Sequence, residues 1–151
     1  MDIRFSVTGL DEMRRRYASA PHIIADELKT SMTRIVLQGE RVSKQKAPKW
    51  RGQLRQSITH EVSGGPGQVQ GEWGTALHYA KFQETGTRPH FVSAANIGAW
   101  AAAHGFGNTG LYVSGKAHPF IKPAFTAMRK KIAPEFQGAI RRAMARISGG
   151  G

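Results

Sequence analysis

Six histidines, His22, His60, His78, His90, His104 and His118, could do chemistry in this chain, and that chemistry would be metal ligation. Their separations give no two-ligand pair on one helix face. With no cysteine, a site would have to draw on the ten Asp and Glu residues. Scattered imidazoles are the expectation, with no metal and no cofactor. Nucleophilic catalysis has as little support: Ser57 and Ser114 stand in no Gly-Xaa-Ser-Xaa-Gly setting, and the only aspartates, Asp2, Asp11 and Asp26, all lie near the N-terminus. A pair of carboxylates would need the fold to bring Glu72 and Glu84 together. The run Gly64-Gly65-Pro66-Gly67 lacks the Lys-Ser/Thr and the following helix that phosphate binding requires. A non-enzymatic role is expected.

Charge is the stronger signal. The net charge is +12, and it is unevenly spread. Residues 41–55 carry six basic side chains and no acidic one, while residues 129–146 carry six against the single Glu135. Such a field attracts nucleic acid, anionic membranes or acidic protein surfaces without choosing among them. Lys44, Lys46, Lys49, Arg51 and Arg55, with Trp50 among them to stack a base, are the candidates for contact with DNA or with an acidic partner. The lack of cysteine suits a reducing cytoplasm, no apolar run approaches the ~20 residues of a membrane-spanning helix, and the N-terminus shows no secretory signal.

The elements that must position these side chains fit one domain over residues 1–148, with a flexible tail at 149–151. Residues 2–8 alternate as a half-buried strand, and residues 10–18 form a short charged helix or turn. Pro21 suits the first position of a new helix, in which Ile24, Leu28, Met32, Ile35, Val36 and Val42 form one apolar stripe to about Ala47. Pro48 stops it. A short helix over 52–58 leads to a β-hairpin over 57–75, turning at the Gly-Pro-Gly run. A short helix over 77–85 ends at Gly86, and Thr87-Arg88-Pro89 forces an extended exit. Residues 93–104 suit an Ala-rich helix capped by Ser93, and 105–115 a glycine-punctuated loop or short ribbon. A basic helix from Pro119 should kink or restart near Ala133, because Pro134 removes a hydrogen bond and clashes with the preceding turn. The fold class is α+β: two long helices packed on a small antiparallel sheet, with a hairpin and an extended loop.

Tyr79, Phe82, Phe91, Trp100 and Phe120 lie beside Gly, Pro and Arg in this pattern, and such aromatics anchor interfaces. With Glu84, Gly86 and Arg88 they make up the candidate interface set. Arg88, next to Pro89, suits a rim or a partner carboxylate better than a core.

Several blocks carry a resemblance. They are Arg51-Gly-Gln-Leu-Arg-Gln-Ser-Ile58, Tyr79-Ala-Lys-Phe-Gln-Glu-Thr-Gly-Thr-Arg-Pro-His90 and Pro119-Phe-Ile-Lys-Pro-Ala-Phe125, set after a long helix ending in Ala47-Pro48 and around a hairpin. In this order, over about residues 20–145, the chain resembles the tail-completion or neck proteins of long-tailed bacteriophages and prophages, with minor tail protein Z as a more distant analogue. It departs from the family's usual Val-Asp-Thr-Gly at Lys49-Trp50-Arg51-Gly52, and its 91–117 segment is longer than in the shortest members.

The resemblance implies a structural virion protein, assembled in the host bacterial cytoplasm. It would form a homo-oligomeric, hexameric ring at the head-proximal end of the tail, between the tail terminator and the head-tail connector. A closed ring needs a heterologous interface, one surface meeting a different surface on the next copy. Basic residues lining the lumen would meet genomic DNA as it passes, whereas outward-facing ones would meet an acidic neighbouring ring. Tight DNA binding would hinder ejection, which favours the protein partner over the alternative of a nucleic-acid-binding module.

Overall fold

The computed structural model describes residues 10–49, 52–93, 96, 105 and 110–149. The expected strand over 2–8, the helix over 93–104 with Trp100, and the side chains of Trp50 and Arg51 lie outside them.

Helix α1 is Leu10–Lys46. Ala25, Ser31, Ile35, Val36 and Ser43 are buried at helical spacing, and Lys44 and Lys46 sit in the last turn, where the helix dipole favours cations. The two separate N-terminal helices expected from Pro21 are one. Pro21 lies on the exposed side, where water can replace the amide donor that its ring removes.

Gly52, at φ 71°, turns the chain into the short helix α2, Gln53–Ser57. Strands β1 (Thr59–Gly65) and β2 (Gln68–Gly74) form the expected antiparallel hairpin. Its register pairs His60 with Trp73, Val62 with Gly71 and Gly64 with Val69, and this side packs on α1. The opposite side pairs Glu61 directly with Glu72, both exposed.

Two glycines let helix and hairpin meet. A Cβ on Gly71 would lie 2.5 Å from Met32 Cγ and 2.8 Å from Val36 Cγ1, and a Cβ on Gly39 would lie 2.7 Å from the Trp73 ring. The Trp73 indole then donates to Ser43 Oγ at 3.0 Å, satisfying a buried hydroxyl. Gly71→Val should therefore lower stability by about 1–3 kcal/mol through overpacking, despite the better strand propensity of valine. Urea unfolding checks this, and an unchanged midpoint would mean that the hairpin does not press on α1.

Helix α3 (Ala80–Thr85) leads to β3 (His90–Val92), which pairs antiparallel with β4 (Leu111–Val113) in a second two-stranded sheet. Helix α4, Ile121–Ser148, runs antiparallel along α1: Glu27 meets Arg142 and Arg146, while Ser31 and Arg34 meet Glu135. Ala124, Met128, Ala139 and Ala143 are almost wholly buried, and the three alanines let the two backbones approach closely. Helix α4 does not restart at Pro134, which lies on its exposed side. Ser148 is its last residue, and Gly149 closes it in the left-handed conformation at φ 82°, where a residue without Cβ is favoured. The architecture is thus α+β, with long helices and small antiparallel sheets.

Candidate functional site

The sequence blocks that stand apart in the chain meet in space. Ala47, Leu54, Ile58, Ala80 and Phe120 form one buried cluster, with Leu77, Tyr79 and Ile121 packed against it. Each block supplies part of it: Ala47-Pro48 the first residue, Gly-Xaa-Leu-Xaa-Xaa-Ser-Ile the next two, Tyr79-Ala80 the next and Pro119-Phe120 the last. Ser57 Oγ donates to the Leu54 carbonyl at 2.8 Å and bonds Thr75 Oγ1 at 2.7 Å, which fixes α2 against the end of the hairpin. Ser57 is thus tied into the joint between α2 and the hairpin.

Glu84 joins the two later blocks. Helix α4 begins without a capping side chain of its own, leaving its first amides unpaired. The Glu84 carboxylate, reaching across from α3, accepts from the amides of Phe120 at 2.8 Å, Ile121 at 2.9 Å and Lys122 at 2.8 Å. Partial burial by itself would raise this carboxyl, but the three amides, with the charge of Lys122, outweigh it and hold the group below the usual carboxylate range.

Beside this joint the chain leaves the body as an arm. Gly86, at φ 74°, passes so close to the returning strand that a Cβ would lie 2.7 Å from the Gly115 carbonyl. Thr87 N donates to that carbonyl at 2.9 Å, Gly115 N donates to Thr87 Oγ1 at 2.6 Å, and His118 N donates to the Gln83 carbonyl at 2.7 Å. Above this clamp β3 and β4 pair with each other and, among the described elements, make no substantial contact with any other. Phe91 and Tyr112 face each other across the ribbon, ring centroids 5.5 Å apart and edge to face, yet are 57% and 77% exposed. A two-stranded ribbon with its aromatics in water has no core of its own.

The candidate interface set therefore divides. Phe82, 52% exposed, with Arg88 and Phe91 lies at the surface around the arm. Gly86 shapes the arm's base. Tyr79 is half-buried on the core, Phe120 is 1% exposed inside it, and Glu84 is spent on α4, so these three hold the scaffold together and offer little to a neighbour. Tyr112 lies in the ribbon alternative expected over 105–115, now strand β4, but is absent from the candidate interface set, because its exposure beside Phe91 depends on the strand it pairs with.

The basic clusters are also partly consumed. Glu40 takes Lys44 on one carboxylate oxygen and His60 Nδ1 on the other, and these contacts lower its carboxyl, that with Lys44 most. Arg55 Nε donates to the Lys44 carbonyl at 2.9 Å, while Lys46 and Lys49 are exposed. In the second cluster Arg142 and Arg146 bind Glu27 at 2.9 and 3.0 Å and hold its carboxyl low, Arg142 more strongly. Ser31 and Arg34, in that order, do the same for Glu135. Arg129, Lys130, Lys131 and Arg141 remain exposed.

Among the described residues no group of three His, Asp or Glu side chains could hold a metal ion, and no described helix is long and apolar enough to cross a membrane. Residues 11–86, from α1 through α3 and its Gly86 cap, match the family model described as "Bacteriophage HK97-gp10, putative tail-component". Searches of curated proteins and of solved structures found no match. The match covers half of the chain, including the Gly-Xaa-Leu-Xaa-Xaa-Ser-Ile block, the hairpin and the segment carrying Glu84, so the chain belongs to the HK97-gp10-like family of bacteriophage tail components.

Proposed function

We propose that this protein acts as a structural ring at the head-proximal end of the tail, completing the tail and joining it to the head. It works there by shape and charge, making and breaking no bond. The observation that carries this reading is the arm: a ribbon with two exposed aromatics on a base clamped at Thr87–Gly115 and His118–Gln83 is a rigidly aimed contact element that no other described element covers. A hexamer fits the symmetry of a long phage tail. The tail terminator and the head-tail connector are the neighbours on either side, and genomic DNA passes through the ring. The exposed Lys46 and Lys49 suit acidic surfaces on those neighbours.

Deleting this protein from its phage should yield filled heads and separate tails that do not join, with particle infectivity falling about a thousandfold or more. Electron microscopy of wild-type particles should place the chain at the head-tail junction. Normal joined particles without it, or its location at the distal tip, would overturn the reading.

A further inference from the structure

The outer face of the β1–β2 hairpin carries two features that the chain itself leaves unanswered. Glu61 and Glu72 stand directly opposite each other, and among the described residues neither has an ion-pair partner. Like charges across a strand pair oppose its formation. Two residues along, at the next pair on the same face, Gly74 faces Thr59, and a Cβ there would meet nothing within 4 Å. A strand glycine facing open space is a place where another group can lie flat on the backbone. Next to it is a concavity of about 390 Å³ bordered by Thr59, Glu61, Glu72 and Ala76.

The arm is complementary on each count. It presents the rings of Phe91 and Tyr112 with the exposed cations Arg88 and Lys116 at its base, and it makes no substantial contact with its own hairpin. An aromatic ring over a strand glycine restores the cover that the missing side chain would give. A guanidinium beside the Glu61–Glu72 pair relieves its repulsion with charge-assisted bonds. A protein of net charge +12 has few acidic surfaces, and its opposed glutamates sit where one basic element of another copy can use them.

We infer that the occupant of the outer hairpin face is a second copy of this chain: the β3–β4 arm of one subunit lies on the Glu61/Glu72/Gly74 face of the next. The contact is heterologous, each subunit giving its arm to one neighbour and its hairpin to the other, which is the arrangement that closes a ring. The assignment rests on the ring reading above and specifies its contact.

The absence of cysteine from the chain makes a clean test. Phage tails are assembled from two co-expressed full-length variants, Ser114→Cys in a size-tagged chain and Thr59→Cys in an untagged one, and treated with a short bismaleimide. The mixed-size cross-link should dominate, and replacing Thr59→Cys by Ala145→Cys, on the exposed side of α4, should lower its yield about tenfold. Rings that assemble while the two pairs link equally would overturn the arm-to-hairpin contact and leave the ring standing. Tails holding a single copy of the chain would overturn both. Independently, Arg88→Glu and Glu72→Arg should each cut the yield of ring-containing tails about tenfold, and the double variant should recover to within about threefold. Failure of that recovery would also overturn the contact.

Discussion

Phe120→Ala should unfold much of the protein, costing about 3–5 kcal/mol, whereas Phe91→Ala should leave the isolated chain's stability within about 0.5 kcal/mol of the parent. The two rings lie in blocks that look alike in sequence, each beside proline, histidine and a cation. The difference is what surrounds them. Phe120 is 1% exposed among Ala47, Leu54, Ile58 and Ala80, so truncation uncovers three other segments at once and leaves a cavity where they meet. Phe91 lies against Tyr112 and Gly110 of its own arm and is otherwise in water. Thermal or urea unfolding of the purified variants measures the first effect, and the yield of head-joined particles measures the second, which should fall with Phe91→Ala even though the chain folds. A stable Phe120→Ala protein would show that the blocks do not share one core.

Glu84→Ala should be the most damaging change at a charged position, at about 2–3 kcal/mol, with Glu84→Gln close to half of that. Three α4 amides lose their common acceptor in the alanine variant, and the glutamine keeps one neutral oxygen for them. Because the same bonds hold α3 beside the arm's base, amide exchange should quicken at 120–122 and at Thr87 and Gly115 together. The pH dependence has a definite sign. The folded Glu84 carboxyl lies below its ordinary value of 4.5, so its contribution is complete above that pH and disappears as the pH falls through the folded value. Glu27, Glu40 and Glu135 are lowered too and add their own acid sensitivity, so the difference between the parent and Glu84→Gln is what isolates this group. That difference should be largest near neutrality and vanish at strongly acidic pH. A gap that stayed constant down to pH about 2 would mean that the cap does not depend on the charge.

Neither effect can be assigned from local pattern. Glu84 sits 36 to 38 residues from the amides it caps, and nothing in Gln-Glu-Thr-Gly distinguishes a carboxylate aimed at a distant helix from one aimed at a partner. The basic cluster at 129–146 has the same difficulty: Arg142 and Arg146 read as free field until Glu27, more than a hundred residues earlier, is found beneath them. Pro21 misleads in the other direction. Its fixed φ suits the start of a helix as well as the interior, and only its exposed position lets α1 run through it.

The sequence by itself determined the elements whose causes are local. The apolar stripe from Ile24 to Val42, the Gly-Pro-Gly turn between two alternating strands, the glycine after Thr85 and the 3.6-residue period from Ile121 to Ile147 act within one or two turns of chain, so their spacing carries the α+β class and the family blocks. Tertiary structure alone decided which aromatics are spent inside and which remain to meet a neighbour. Burial is a property of the surroundings: Phe120 and Phe91 have the same side chain, and only the packing of α2, α3 and α4 around one of them removes it from water.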